Sequence, residues 1–170
     1  RYPQIQVELV PAIQLANVAA AEVDLAIRYG KGDWPDVQAT RLMPEVLSPV
    51  CSPAFKASRQ HNGALLMATS HRPFEWTDWS DHYQVDLSPH PRVVLHDYNI
   101  VVEAAVAGQG IAMGRHRLIE RRLQDGSLVE AFDWPPYRSE IGYWLIAPQG
   151  PASAAAECFS AWLKAACADA

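Results

Sequence analysis

Two periodicities of apolar residues run along this chain. Alternation of apolar and polar residues, or a short apolar run bounded by turn residues, predicts a strand. Apolar residues at spacings of three and four predict a helix. The predicted strands are residues 5–10, 23–29, 40–43, 46–51, 65–67, 92–95, 111–113, 128–132 and 141–146. The predicted helices are residues 14–22, 53–60, 115–124 and 151–166, with one more between 95 and 108. Strands alternate with helices, and this order predicts an α/β fold.

The stretch from 92 to 114 is predicted to form the centre of this fold. A buried strand at 92–95 precedes an apolar helix that Gly108 ends, and a second strand follows at 111–113. A strand, a helix and a second strand in this order form a right-handed parallel crossover. The unit places the N-terminus of the helix at the carboxyl end of the first strand, where open α/β sheets bind ligands.

The residues at that helix N-terminus are therefore candidates for ligand contact. Asp97 or Asn99 can also cap the helix, because a short side-chain oxygen accepts hydrogen bonds from the unpaired N–H groups of the first turn. The candidates are His96, Asp97, Tyr98 and Asn99.

Residues 70–91 show no clean period between the predicted strands on either side. The segment contains Trp76 and Trp79 and is rich in Asp, His and Pro. We predict an irregular or short-helical surface segment there.

The composition of the 170 residues suits a soluble globular protein, with 49% hydrophobic and 19% charged residues. The formal net charge of -5 argues against non-specific nucleic-acid binding by this chain, which requires a broad basic face. The three cysteines are an odd number without a CxxC motif, so we expect no disulfide framework and a reducing compartment. No signal sequence opens the chain and no apolar run reaches membrane length, so we expect no membrane partner.

The sequence lacks the motifs of common catalytic and cofactor sites. Gly108-Gln109-Gly110 follows a predicted helix and leads into a strand, whereas the dinucleotide fingerprint follows a strand and opens a helix. No Walker, GxSxG or HExxH sequence occurs, and the six histidines are scattered without ligand spacing. We therefore expect no catalytic residues, no metal and no cofactor.

Two arginines follow predicted strands, and each has two interpretations. Arg28 lies at the end of the strand predicted from residue 23, and it either forms a surface salt bridge with Asp33 or Asp36 or clamps a carboxylate. Arg115 follows the second strand of the crossover, and it either lies on a solvated basic helix face or contacts an anionic ligand.

Three motifs in this order resemble the effector-binding domain of LysR-type transcriptional regulators. They are Asp24-Leu25-Ala26-Ile27-Arg28-Tyr29-Gly30 followed by Gly32 and Trp34-Pro35, then Pro49-Val50-Cys51-Ser52-Pro53, then Ala104-Ala105-Val106-Ala107-Gly108-Gln109-Gly110-Ile111-Ala112-Met113-Gly114-Arg115. The first motif is most similar to the subgroup that contains the glycine-cleavage activator and the β-lactamase regulator. The resemblance runs over essentially all 170 residues without large gaps.

This resemblance implies a fold like that of type 2 periplasmic binding proteins, in which two Rossmann-like α/β lobes are joined by two crossing segments. Lobe I would comprise residues 1–62 and 142–170, and lobe II would comprise residues 63–141. In the family, a first strand and helix of lobe I precede the Arg1-Tyr2-Pro3 that opens this chain. A winged helix-turn-helix domain that binds DNA lies further upstream. This chain contains none of these upstream elements.

The function that the resemblance implies is the sensing of a small metabolite, such as a carboxylate or an amino acid, in the cleft between the lobes of a cytoplasmic bacterial regulator. The expected partners are this effector, DNA through the helix-turn-helix domain, and further copies of the regulator in a dimer or tetramer. The residues expected to contact the effector are Arg28, Tyr29, Trp34, Thr69, Asp97, Tyr98, Asn99, Met113, Arg115 and Tyr143. Core packing is the alternative role for Trp34 and Tyr143. The alternative function is a solute-binding protein of a transporter with the same two lobes.

Overall fold

The structure, a computed structural model, describes residues 2–11, 23–58, 63–68 and 74–168. Its strands are β1 (Ala26–Gly30), β2 (Val37–Cys51), β3 (Leu65–Ala68), β4 (Arg92–Leu95), β5 (Ile111–Arg115), β6 (Val129–Glu130) and β7 (Tyr137–Pro148). Its helices are α1 (Pro53–Ala57), α2 (Phe74–Tyr83), α3 (Tyr98–Val106), α4 (His116–Gln124) and α5 (Ala154–Ala168). The hydrogen-bonded order of these strands is β1-β7-β2-β5-β3-β4, and β6 pairs with β2. The predicted α/β fold is confirmed.

The chain divides into two compact units, which we call unit 1 (residues 1–44 and 140–170) and unit 2 (residues 45–139). β2 and β7 each continue from one unit into the other. Along the chain, unit 1 ends at Pro44 and unit 2 begins at Glu45, inside the 15-residue strand β2. This position is earlier than the lobe boundary expected at 62/63. The second half of β2 pairs with β5 and β6, and this pairing is what assigns it to unit 2.

In unit 1, β1 pairs with β7 in an antiparallel ladder. The prediction of a strand at 5–10 is wrong, because residues 2–11 form no strand and Leu9 is 83% exposed. An alternating segment becomes a strand only when a neighbouring strand completes its hydrogen-bonded ladder. No such neighbour is present among the residues that the structure describes. The helix predicted at 14–22 lies outside the described residues.

In unit 2, β3 lies between β4 and β5 and runs parallel to both. Helix α3 connects β4 to β5, so the predicted strand–helix–strand unit is present and its two strands are parallel. The prediction that the first strand is buried is wrong, because β4 is last in the strand order and Val93 and Val94 are 40% and 59% exposed. Gly108 has a φ of 74°, the left-handed conformation in which glycine commonly ends a helix. β2 runs antiparallel to β5 on the other side, with Ser48 opposite Gly114.

Two apolar clusters pack on unit 2. One includes Leu66 and Ala112 with buried residues of α3 and α4, and the other includes Leu65 and Ile111 with the tryptophans of α2. Successive side chains of a strand point to opposite faces, so the two clusters lie on opposite faces of this part of the sheet.

None of the helices in the described parts of the chain has the length and apolar character that a membrane span requires.

The segment predicted to lie on the surface at 70–91 contains the ten-residue helix α2, which buries Trp76 and Trp79. The Trp79 side chain is 0% exposed, and its ring stacks on Phe132 with centroids 5.9 Å apart. The surface prediction is wrong for this helix. Trp76, Trp79 and Tyr83 recur at spacings of three and four, so one helical face is apolar although the segment as a whole is polar.

Candidate functional site

The β1–β7 ladder brings three of the predicted effector contacts together in unit 1. Tyr29 and Tyr143 are cross-strand partners, and their ring centroids lie 5.1 Å apart at an interplanar angle of 52°. Arg28 precedes Tyr29 and lies opposite Trp144. The expectation that Arg28 marks the end of the strand is wrong, because β1 continues to Gly30. The register places Tyr29 beside Tyr143 on one face of the ladder and Arg28 beside Trp144 on the other, since opposite residues of an antiparallel pair have adjacent Cβ atoms and successive residues point to opposite faces.

Trp34 joins this group through Arg28. The Cζ of Arg28 lies 5.5 Å from the centroid of the Trp34 ring, which is the distance of a cation–π contact. The Trp34 ring also meets the Trp144 ring edge-on, with centroids 6.5 Å apart. A Cβ at Gly30 would lie 2.8 Å from Cζ2 of Trp34, so glycine at this position lets the ring approach the strand. Trp34 thus packs against the ladder and contacts Arg28 as well.

In unit 2, Asp97 is the N-cap of α3. Its Oδ1 accepts hydrogen bonds from the backbone N–H groups of Asn99, at 2.8 Å, and Ile100, at 3.2 Å. The predicted capping role of Asp97 is confirmed. Asn99 is exposed in the first turn of the same helix. The carboxylate of Asp97 therefore stabilises the start of α3 at the predicted site.

Tyr98 connects the start of α3 to the end of β5. Its hydroxyl donates a hydrogen bond to the carbonyl oxygen of Met113, at 3.3 Å, and accepts one from the backbone N–H of Arg115, at 2.8 Å. Burial is the main cause that raises the pKa of the Tyr98 hydroxyl, so the group stays protonated at neutral pH. Met113 is buried in the cluster that contains the tryptophans of α2. Tyr98 and Met113 thus belong to the interior of unit 2.

Arg115 forms a buried ion pair with Glu75 of α2. The guanidinium contacts the Glu75 carboxylate through Nη2 and through Nε, the latter at 2.7 Å from Oε1. The Arg115 side chain is 3% exposed, and its Cζ lies 4.7 Å from the centroid of the Tyr98 ring. The interpretation of Arg115 as part of a solvated helix face is wrong, because this residue is the last of β5 and is buried. An anion does contact Arg115, and that anion is a side chain of the same unit.

Neither Glu75 nor the second buried carboxylate of this region, Glu45, was predicted from the sequence. Glu45 is 0% exposed, and its Oε1 accepts a hydrogen bond from the backbone N–H of Val46, at 3.1 Å. The charges of both carboxylates add to the rise in the pKa of Tyr98. A carboxylate between apolar neighbours, as in Pro44-Glu45-Val46, is the local signal that could have identified Glu45.

The predicted effector contacts thus fall into two groups, one in each unit, with different structural roles. In unit 1, Arg28, Tyr29 and Tyr143 lie on one ladder and Trp34 packs against it. Those of unit 2 take part in a helix cap, in the core or in a buried ion pair, except for the exposed Asn99. Thr69 lies outside the described residues. Within the described ranges, no group of three or more His, Cys, Asp or Glu side chains is placed to hold a metal ion.

Comparison with solved structures identifies the class of domain that this fold represents. The AmpR effector-binding domain from Citrobacter freundii superposes with a TM-score of 0.83 at 29% sequence identity, over 99% of this chain and 86% of that one. The family model of the LysR substrate binding domain matches residues 1–168. The chain therefore belongs to the LysR substrate-binding-domain family.

Curated relatives of known function are regulators of transcription. The chain is 34% identical to the HTH-type transcriptional activator AmpR of Enterobacter cloacae, over 95% of its own length. It is 28% identical to the HTH-type transcriptional regulator DsdC of Escherichia coli (strain K12), over 96% of its length. The chain spans 57% of the length of each of these two relatives.

Proposed function

We propose that this chain is the effector-binding region of a cytoplasmic LysR-type transcriptional regulator and that it binds a small carboxylate or amino-acid-like metabolite. Family membership supports the sensing role. The names of the two relatives favour a regulator over the alternative of a transporter's solute-binding protein. Control of transcription, DNA contact through a helix-turn-helix domain and assembly into a dimer or tetramer belong to the whole regulator and form part of this proposal.

The observation that carries the effector class is the contact between Arg28 and Trp34 on one face of the β1–β7 ladder. A guanidinium donates two parallel hydrogen bonds to a carboxylate. The aromatic ring offers apolar area beside this polar group. We therefore propose Arg28 and Trp34 as primary contacts. Tyr29 and Tyr143 lie on the other face of the ladder, and their contact with the effector stays a prediction from the resemblance. The contributions of unit 2 and the location of the effector between two lobes stay predictions from the resemblance.

The test begins with a thermal-shift screen of the chain against free amino acids and small mono- and dicarboxylates. A compound that raises the melting temperature is then titrated by calorimetry into the parent and into Arg28→Ala and Arg28→Lys. An ammonium does not reproduce the paired hydrogen bonds of a guanidinium. Both variants should therefore lose about 1.5–3 kcal/mol of binding free energy, the range for a hydrogen bond to a charged group.

Arg41 supplies the matched control. It is an exposed arginine of the same unit, and its Cζ lies 5.8 Å from the centroid of the Trp144 ring. Arg41→Ala and Arg41→Lys should bind the same compound within twofold of the parent. If the Arg28 variants also bind within twofold, Arg28 is not an effector contact. If no carboxylate or amino acid in the panel binds to this chain or to a chain extended upstream by the strand and helix that the resemblance implies, the proposed effector class is wrong.

We also expect this chain not to recognise duplex DNA by itself. Its net charge of -5 opposes binding to phosphates, which dominates protein–DNA affinity. A mobility-shift titration at near-physiological salt should show no sequence-selective complex in the submicromolar range. Selective binding of that strength would contradict the assignment of DNA contact to a separate domain.

A further inference from the structure

His116, the first residue of α4, has two partners on a single ring nitrogen. Its Nε2 lies 2.7 Å from the hydroxyl oxygen of Ser48 on β2 and 3.6 Å from Oε1 of Glu130 on β6. Ser48 is 1% exposed, whereas the His116 and Glu130 side chains are 24% and 35% exposed. These three side chains link β2, α4 and β6 at one point of unit 2.

The two partners of Nε2 favour opposite protonation states of the ring. An imidazole nitrogen carries either a lone pair or a hydrogen. In the neutral tautomer with its hydrogen on Nδ1, Nε2 has a lone pair and the Ser48 hydroxyl donates a hydrogen bond to it. The protonated ring has hydrogens on both nitrogens, so its charge and its Nε2–H attract the Glu130 carboxylate, and the Ser48 hydroxyl must rotate to become an acceptor. A proton from solvent therefore exchanges one set of contacts for the other.

The surroundings act on this choice in both directions, with a net preference for the neutral ring. Burial lowers the pKa of His116, and the charge of Glu130 opposes this effect. The N-terminal position in α4 also disfavours a positive charge, because the helix dipole places its positive end there. The Oε2 atom of Glu130 is buried, and no residue in the described part of the chain gives it a hydrogen bond.

Other charged groups lie near this point in the sequence or on neighbouring elements. Lys56 of α1 donates a hydrogen bond to the main-chain carbonyl of Glu130, at 2.8 Å, and its Nζ lies 3.6 Å from Oδ1 of Asp133. On α4 itself, Glu120 is one turn from His116 and accepts a hydrogen bond from Gln124, and Arg117 follows His116 directly. Among the described residues, Glu130 is thus the acidic group that an element other than α4 places within ion-pair distance of His116.

We propose that Ser48, His116 and Glu130 form a proton-operated switch within unit 2. Neutral His116 accepts the hydrogen bond of Ser48, and protonated His116 pairs with Glu130. The attachment of β6 to the start of α4 is consequently tighter at acidic pH, and the attachment of β2 is tighter at neutral pH. This inference does not depend on the identity of the effector or on the proposed function.

The test is a pH titration of the His116 ring resonances by NMR, assigned through their loss in His116→Gln. Ser48→Ala removes the donor that favours the neutral ring and should raise the titration midpoint. Glu130→Gln removes the charge that favours the protonated ring and should lower the midpoint. Each shift should be about half to one pH unit, the effect of one hydrogen bond or ion pair.

The midpoint should rise in Ser48→Ala and fall in Glu130→Gln, and these opposite shifts distinguish the switch from a variant that merely loosens the packing around the ring. A variant that only exposes the ring moves its midpoint up, towards the ordinary value of about 6.5. Asp133→Asn, which removes an exposed carboxylate three residues beyond Glu130, is the matched control and should leave the midpoint unchanged. The backbone amide resonance of Glu130 should titrate with the ring and cease to do so in His116→Gln. A midpoint that rises or stays constant in Glu130→Gln, or a Glu130 amide that does not follow the ring, overturns the proposal.

Discussion

Arg28 in unit 1 and Arg115 in unit 2 are the same residue type but differ in burial and in the contacts described for them. Arg115 is buried and paired with Glu75, whereas Arg28 is half-buried and lies over the ring of Trp34. A buried charge must be compensated inside the protein, and Arg115 receives this compensation from its own unit. The contrast shows that an arginine at or near the end of a strand is not by itself a ligand site. Its partners determine whether it stabilises the fold or is suited to bind a carboxylate.

The largest difference between the two arginines should appear when their partners or side chains are removed. Glu75→Ala leaves the Arg115 charge buried without its carboxylate and should lower the free energy of unfolding by about 3–5 kcal/mol. Arg28→Ala removes a partly exposed cation–π contact and should cost about 0.5–1 kcal/mol. Urea melts of both variants and the parent measure the two effects. Equal losses would mean that Arg28 is as structural as Arg115.

Tyr98→Phe tests whether the hydroxyl of Tyr98 stabilises the interior of unit 2. The change leaves two buried backbone groups, the N–H of Arg115 and the carbonyl of Met113, without their hydroxyl partner. Such unsatisfied groups should cost about 1–3 kcal/mol of unfolding free energy. Tyr83→Phe is the control, because its hydroxyl donates to the carbonyl of Pro135 at an exposed position. A Tyr98→Phe loss no greater than that of the control would argue against an interior role for this tyrosine.

Two variants of Asp97 distinguish its role as a helix cap from a role in binding the effector. Asp97→Ala should destabilise the chain by about 1 kcal/mol, the usual cost of a lost N-cap. Asp97→Ser keeps a capping oxygen and should restore most of that stability while removing the charge. Chemical denaturation gives the stability of both variants, and calorimetry with a compound from the screen gives their affinity. If Asp97→Ser retains stability but loses binding, Asp97 also contacts the effector, and unit 2 contributes to the site.

The smallest expected effect is a change in the pH dependence of the free energy of unfolding when His116 is replaced. The pKa of His116 is lowered in the folded chain, so the unfolded chain binds more protons as the pH falls below about 6.5. The stability contributed by His116 is therefore present above that value and is lost as the pH falls through the folded pKa. His116→Gln should lose less stability than the parent between about pH 7.5 and 5 in urea melts. The control is His82→Gln, which changes an exposed histidine of α2 and should keep the parent's loss.

Local sequence patterns were sufficient for the elements whose partners are close in the chain. The crossover from β4 through α3 to β5 follows from apolar spacing, from the cap Asp97 and from the stop at Gly108. These features depend on residues within a few positions of one another, and their steric and hydrogen-bonding preferences do not require a tertiary contact. The α/β class and the family resemblance rest on such local patterns in the right order.

Tertiary structure decided which candidate residues have structural partners. Arg115 and Glu75 are 40 positions apart in the sequence, and α2, which carries Glu75, has a polar composition that conceals its apolar face. The juxtaposition of Tyr29 with Tyr143 depends on the register of a ladder between distant strands. Ladder register and the burial of charge depend on the free energy of the whole packed chain. Near-neighbour patterns therefore predicted the strand that carries Arg28 and the first part of β5, but they placed Arg115 in the following helix. They did not predict that Arg115 would be paired with Glu75 while Arg28 lies over Trp34.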